Sequence, residues 1–386
     1  MKTLTTTDEL AAFCAKARTY PYVTVDTEFL RERTYYSKLC LVQLAVPDEG
    51  DDSAVLVDPL AGEGLSMSPL YELFRDTSVV KVFHAARQDL EIFHVDAGVI
   101  PAPLFDTQVA AMVCGFGEQA GYETLVKKIT KGSVDKSSRF TDWSRRPLSD
   151  AQKSYALADV THLRDIYEHL ARKLQSTGRA KWVEEELSVL TDPETYRADP
   201  EEAWRRVKTR NTAPRFLGIV RELARFREQH AQARDIPRSR IYKDDALVEI
   251  AATKPQTAQD LGRARLLMRE ARKGEIADGI LAAVKAGLDC PEASLPQPDR
   301  TLDRQQVNPA LADLLRVLLK AKSETYDVAS KLIASAADLD AIAGGARNVQ
   351  ALRGWRRDVF GADAERLCEG EIGLAVRGTA VEPVEI

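Results

Sequence analysis

Val23-Thr24-Val25-Asp26-Thr27-Glu28 alternates side chains through a β-branched run and ends in two acids two residues apart. Alternation at period two predicts a strand over Tyr22–Thr27. On a strand, residues i and i+2 share a face, so Asp26 and Glu28 project together, about 6.5 to 7 Å apart along the chain. A pair so placed can grip a hard cation between oxygens. Taken alone, the same pattern also suits a solvated strand end.

Around this strand the pattern is that of an α/β sheet with covering helices. Thr6 and Glu9 stand in capping-box spacing ahead of a predicted helix, Thr7–Ala17. Leu39–Val46 and Ala54–Val57 read as strands completing an antiparallel meander, and Val79–Phe83 as a strand between helices near Pro69–Phe74 and Ala86–Phe93. In Ser149–Gln175, Leu157, Val160, Leu163, Tyr167 and Leu170 recur at helical spacing. This long helix closes the first predicted domain near residue 190.

Two further segments bring acids toward the same sheet end. Phe83-His84-Ala85-Ala86-Arg87-Gln88-Asp89-Leu90 runs from strand into helix and lifts Asp89 toward that end, although a first-turn acid also favours a helix dipole. Tyr155-Ala156-Leu157-Ala158-Asp159 puts a phenol and a carboxylate at i and i+4 on one helix face. The aspartate can complete a metal cage and the phenol can aim a water; a packed tyrosine and a solvated aspartate fit the spacing as well. Phosphodiester hydrolysis calls for such a set. The attacking water must lose its proton near neutral pH while charge builds on the phosphate and leaving oxygen, and two cations serve both ends. Oxygen ligands select Mg²⁺ or Mn²⁺.

The four acids and one tyrosine, in this order, together with Asp26-Thr27-Glu28, His84-Ala85-Ala86-Arg87-Gln88-Asp89-Leu90-Glu91, Phe105-Asp106-Thr107-Gln108 and Tyr155-x-x-x-Asp159, resemble the ribonuclease D family of DEDDy exonucleases over about residues 1–190. The resemblance implies a ribonuclease-H-like fold in which Asp26, Glu28, Asp89 and Asp159 hold two metal ions and Tyr155 positions water. A sister group has histidine at the tyrosine position. Asp106 competes with Asp89; the resemblance favours Asp89 as ligand and leaves Asp106 to cap a helix. It further implies that Thr27, Phe29 and Leu30 line the pocket for the terminal nucleotide, Phe29 and Leu30 being equally suited to a core. His84 is expected to meet a phosphate or sugar oxygen, or to be structural. Trp143 and Arg145, in Thr141-Asp142-Trp143-Ser144-Arg145-Arg146-Pro147-Leu148, touch RNA on one reading, and on the other Trp143 is a packing anchor.

Strand signals stop after Asp192-Pro193 and helical patterns take over. Net charge is only −5, from 54 basic and 59 acidic residues, yet Arg205 to Cys290 holds 19 basic against 11 acidic, a local +8 that leaves −13 for the rest. Arg221, Arg225, Arg227, Arg234, Arg238 and Arg240, with Ile236-Pro237, resemble an HRDC domain, a small helical module shared with RecQ helicases. Attraction of this basic face for phosphate is expected to hold the body of an RNA, a solvated helical face being the other reading. The helical stretch Gln305 to Gly378 has 10 basic and 10 acidic residues and is expected to pack rather than to bind RNA strongly. An offset of 92 aligns Leu223, Ile241, Leu247, Ile250 and Ala251 with Leu315, Ile333, Leu339, Ile342 and Ala343, the mark of an internal repeat.

The expected architecture is therefore an α/β ribonuclease-H-like mixed sheet with covering helices, followed by two all-α HRDC-like domains. Its parts are an exonuclease domain 1–190, a connection 191–209, a first HRDC domain 210–290, a linker 291–304 and a second HRDC-like domain 305–380. Five scattered cysteines with no short pairing indicate neither zinc knuckle nor disulfide framework. With no signal-like start and no apolar run of membrane length, the chain reads as cytoplasmic, with no membrane role and no obligatory protein partner. Absence of a Gly-x-x-x-x-Gly-Lys-Ser/Thr loop excludes a helicase motor. The implied activity is 3'-5' exonuclease action on RNA, tRNA precursors and other small structured RNAs; a DNA exonuclease of the same chemistry and a noncatalytic RNA-binding scaffold are the rival readings.

Overall fold

The computed structural model describes residues 1–48, 50, 52–61, 64–135, 137–297 and 307–386. Two compact units emerge. One contains Met1–Glu28, Cys40–Thr195 and the C-terminal segment from 307 onward; the other contains Phe29–Leu39 and the helices between Tyr196 and residue 297.

The first unit is built on a six-stranded sheet in the order β1-β4-β3-β2-β5-β6. The strands are β1 (Lys2–Leu4), β2 (Tyr22–Leu30), β3 (Lys38–Ala45), β4 (Ala54–Val57), β5 (Val80–Phe83) and β6 (Leu104–Asp106). β2, β3 and β4 are consecutive neighbours as the meander requires, with β3 antiparallel to β4; β1 joins β4 in parallel, and β5 lies parallel to both β2 and β6. Alternation on β2 buries Val23 and Val25 in the core and leaves Thr24, Asp26 and Glu28 on the opposite face.

Helices α1 (Thr7–Ala17), α2 (Ser68–Arg75), α3 (Arg87–Ala97), α4 (Thr107–Val113), α5 (Tyr122–Leu125), α6 (Asp150–Thr177) and α7 (Ala180–Thr191) complete the body. The capping box of Thr6 and Glu9 opens α1. A second box, Ser149 with Gln152, opens α6, and Gly178 in the left-handed region ends it. Asp106 caps α4, its carboxylate accepting from the amides of Gln108 and Val109.

In the second unit, α8 (Pro214–Arg234), α9 (Arg238–Ile241), α10 (Asp244–Thr253), α11 (Ala258–Leu261) and α12 (Gly274–Asp289) enclose an apolar core around Leu223, Tyr242, Leu247 and Ile280. α8 and α12 approach so closely at Gly287 that a Cβ there would stand 2.6 Å from Ile219 Cα. Only glycine fits.

The C-terminal segment repeats the pattern with α13 (Pro309–Tyr326), α14 (Ser330–Ile333), α15 (Ala336–Ala343), α16 (Gly354–Arg356) and α17 (Ala362–Glu369). The internal repeat is visible in the helix caps: α8 ends at Asp235 with φ 47°, and α13 ends at the equivalent Asp327 with φ 50°. This copy packs on the helices of the first unit. Trp355 stacks on Trp182 at 4.6 Å and 13°, and Arg356 bonds Glu186 at 2.6 Å. It also carries a β-hairpin, β7 (Ile372–Arg377) and β8 (Ala380–Glu385), that the helical reading of the sequence did not anticipate. The expected linker 291–304 falls outside the described residues from 298 onward.

Candidate active site

α6 runs along the open face of β2 with its side chains in register. The Tyr22 phenol donates to Glu168 Oε1 at 2.8 Å, and the Thr24 hydroxyl donates to the Val160 carbonyl at 2.8 Å. The next same-face positions, Asp26 and Glu28, then meet Asp159: one carboxylate oxygen from each of the three lies within 4.8 Å of the others. Such crowding raises the carboxyls. Burial, followed by repulsion from Asp159, Asp89 and Glu28, holds Asp26 well above the usual carboxylate range. Burial and the charges of Asp159 and Asp89 push Glu28 up to about 9. Asp159 rises to about 7 through burial, restrained by Tyr155 and by the positive charge of Arg139.

Asp89 comes from the other side of β2, in the first turn of α3. Its carboxylate accepts from the Thr27 hydroxyl, is almost fully buried, and is pushed up to about 7 mainly by burial. Asp106 supports the turn ahead of it. Besides capping α4, the Asp106 carboxylate accepts from the amides of Ala85 at 3.1 Å and Ala86 at 2.8 Å, and so holds Ala85 at a positive φ of 58° that a non-glycine residue rarely adopts. Three half-buried carboxylates, Asp26, Glu28 and Asp159, grouped together, and the buried Asp89 near enough for its charge to raise Asp26 and Glu28, make an anion-rich site of oxygen donors with no bonded cation among the described residues. Its chemistry fits hard divalent cations.

A cavity of about 420 Å³ opens over this cluster, with Asp26, Tyr155, Asp159, His84, Tyr122 and Arg139 in its walls. Tyr155 stays protonated, its phenol raised by burial and by the Asp159 charge. His84 is kept neutral by burial. Its Nδ1 lies 3.0 Å from the Thr107 hydroxyl, which itself donates to the Phe83 carbonyl, so the oxygen accepts from Nδ1–H and Nε2 is left as an acceptor.

The remaining expected contacts are distributed differently. Thr27 is buried beneath the site against Asp89. Phe29 and Leu30 end β2 half-buried and group with the second unit. Trp143 is 2% exposed and its ring stands 6.0 Å from that of Tyr155, so it backs the tyrosine and does not face a ligand. Arg145 points to solvent and pairs with Asp142 at 3.4 Å. The neighbouring Arg146 anchors this loop instead: it grips Asp58 with Nε at 2.6 Å and donates to the carbonyls of Trp143 and Cys40, each at 2.7 Å.

Two wall residues were not found from the sequence. The Tyr122 phenol donates to the α6 carbonyls of Ala158 at 2.9 Å and Asp159 at 2.8 Å, fixing the backbone beneath the carboxylate. Arg139 is the one Arg or Lys among the described residues that line the cavity. Neither lies in a periodic segment.

Residues 1–175 match the family model for 3'-5' exonucleases, and residues 216–284 match that for the HRDC domain. The chain is 62% identical over 384 residues to a ribonuclease D of Jannaschia sp., covering 100% of this chain and 99% of that one. It is 51% identical to a ribonuclease D of Granulibacter bethesdensis, with 98% and 95% covered. Among solved structures it is similar to Escherichia coli RNase D, an exoribonuclease involved in structured RNA processing, with a TM-score of 0.82, 30% identity, and coverage of 96% and 99%. In sequence along its whole length, as in fold, the chain belongs to the ribonuclease D family of 3'-5' exoribonucleases.

Proposed function

We propose that this exoribonuclease trims tRNA precursors and other small structured RNAs from the 3' end, releasing 5'-nucleoside monophosphates. Asp26, Glu28, Asp89 and Asp159 would hold two divalent cations, Mg²⁺ or Mn²⁺. One observation carries the reading: oxygens of acids from a strand and from a distant helix converge to within 4.8 Å of one another. Bound there, the cations supply an acidified water and neutralise charge growing on the phosphate and on the leaving oxygen.

The chain's own residues orient the reactants. Tyr155, protonated throughout the working pH range, donates a hydrogen bond that aims the attacking water at phosphorus. Arg139 offers a permanent positive charge to the phosphate at the cavity wall. His84 Nε2, an acceptor, meets a ribose hydroxyl and not a phosphate oxygen, which gives the site a means of preferring RNA. Trp143 and Arg146 act from behind by holding Tyr155.

In this reading residues 1–190 form the exonuclease domain, 210–290 the first HRDC domain and 305–380 the second. Among the described residues no helix is long and apolar enough to cross a membrane. We place the enzyme's work in the cytoplasm, without an obligatory protein partner.

Timed digestion of a 5'-labelled tRNA precursor, and of matched RNA and DNA oligonucleotides, tests this. A ladder shortening from the 3' end with Mg²⁺ or Mn²⁺, absent in chelator, is expected. Failure with every divalent ion, or faster digestion of the DNA, would defeat it.

A further inference from the structure

Five of the six arginines that mark the first HRDC module, all but Arg240, pair with acids of the second unit. Arg221 pairs with Glu222 at 3.2 Å, Arg225 with Glu201 at 3.4 Å, Arg227 with Asp244 at 2.7 Å and Arg234 with Glu275 at 2.7 Å, while Arg238 grips the buried Glu228. These pairs leave little of the helical face to attract phosphate. The module's densest run of positive charge lies elsewhere.

It lies in the loop Gly262–Lys273, which holds five basic residues and one acid. The loop is rigid. Arg272 turns inward and donates to the carbonyls of Gly262 at 3.0 Å, Ala264 at 2.7 Å and Leu267 at 2.8 Å. From the other side Glu249 accepts from the amides of Arg265 at 2.8 Å and Leu266 at 2.7 Å. So held, the loop turns Arg265, Arg269 and Lys273 outward, without a carboxylate partner among the described residues, beside a Leu266 that is 59% exposed.

The repeat supplies an internal control. Ile241 is followed 33 residues later by Gly274, whereas the equivalent Ile333 is followed only 21 later by Gly354, so the first copy is longer in this one stretch. In the second copy, which packs on the helices of the first unit, the short connection folds both of its arginines back: Arg347 donates to the carbonyls of Ile342 and Ala346, and Arg353 to the side-chain oxygen of Asn348. The extra residues of the first copy form no core of their own; they build the cationic loop.

We propose that the loop Gly262–Lys273 is the surface by which the first HRDC module holds the RNA body, Arg265, Arg269 and Lys273 contacting backbone phosphates and Leu266 lying against an unpaired base. The proposal rests on the ribonuclease reading. Cationic side chains free of internal partners release counterions from RNA when they bind, and paired ones do so only after breaking an existing bridge.

Anisotropy of a labelled RNA hairpin with a 3' single-stranded tail, titrated with the full chain in chelator at several salt concentrations, tests it. The R265E/R269E/K273E variant should bind about tenfold or more weakly, with a log–log salt slope shallower by roughly 2 to 3. R234A should stay near wild type. With Mg²⁺, the triple variant should digest a short single-stranded oligoribonucleotide at the wild-type rate. Unchanged hairpin affinity and slope, or equal loss on the short oligomer, overturns the proposal. A wild-type chain inert toward both RNAs defeats the ribonuclease reading itself.

Discussion

The Thr24 hydroxyl donates to the carbonyl of Val160 at 2.8 Å, and this bond sets the register of a strand against a helix far away in sequence. One step further along each element stand Asp26 and Asp159. The convergence of the carboxylates thus depends on a buried residue that carries no charge. Thr24→Val keeps the shape and removes the bond. It should cost about 1 kcal/mol of stability and lower kcat roughly tenfold as the carboxylates drift; an unchanged kcat would show that the register is set by other contacts.

Tyr155→Phe separates orientation of the water from binding of metal. The ring still packs on Trp143, so the fold and the Mn²⁺ affinity should hold. Loss of the hydroxyl should lower kcat about a hundredfold. Wild-type turnover in this variant would remove Tyr155 from the mechanism.

Acid crowding predicts a pH dependence with a definite sign. Asp89 and Asp159 titrate near 7 and Glu28 near 9 in the metal-free fold, above their range of about 4 in an unfolded chain. Between those values the folded chain holds protons that the unfolded chain has released, so metal-free stability falls as pH rises through this window. Divalent ions compete with those protons. Thermal melts should show a larger gain on adding Mg²⁺ at pH 8 than at pH 6, and the reverse order would contradict the crowding.

His84→Ala should narrow the preference for RNA over matched DNA, chiefly by slowing digestion of RNA. Parallel time courses on the two substrates read this directly. Equal loss on both would assign His84 to structure alone.

Arg146→Ala should destabilise the fold by about 3 kcal/mol or more, because it strands the buried Asp58 carboxylate. Lysine should not rescue it, since a single ammonium cannot replace the two-pronged grip on Asp58 together with the carbonyl bonds. Chemical denaturation of the three proteins decides, and rescue by lysine would mean that charge alone matters.

Much of the site was legible because its elements are locally encoded. Alternation in Val23–Glu28 defined β2 and the shared face of Asp26 and Glu28, the periodicity of α6 put Tyr155 and Asp159 on one side, and Asp106 stands at the cap its position predicted. What was missed depends on tertiary pairing. β1 and β6 have three residues each, too few for a period to register, and β7 begins Ile-Gly-Leu, where glycine weakens the strand signal. For Trp143 the structure shows the packing-anchor alternative. Charge counting found a basic module but could not see that Glu222, Asp244 and Glu275 answer several of its arginines.

The most direct test is Mn²⁺ binding to the wild-type chain and to Asp26→Asn, followed by electron paramagnetic resonance at pH 7.5 alongside RNA turnover. Two ions are expected to bind per wild-type chain, with binding weakened and turnover abolished in a variant that melts normally. Full turnover by Asp26→Asn at saturating Mn²⁺, or a wild-type chain that binds no Mn²⁺ while still trimming RNA, would contradict the account.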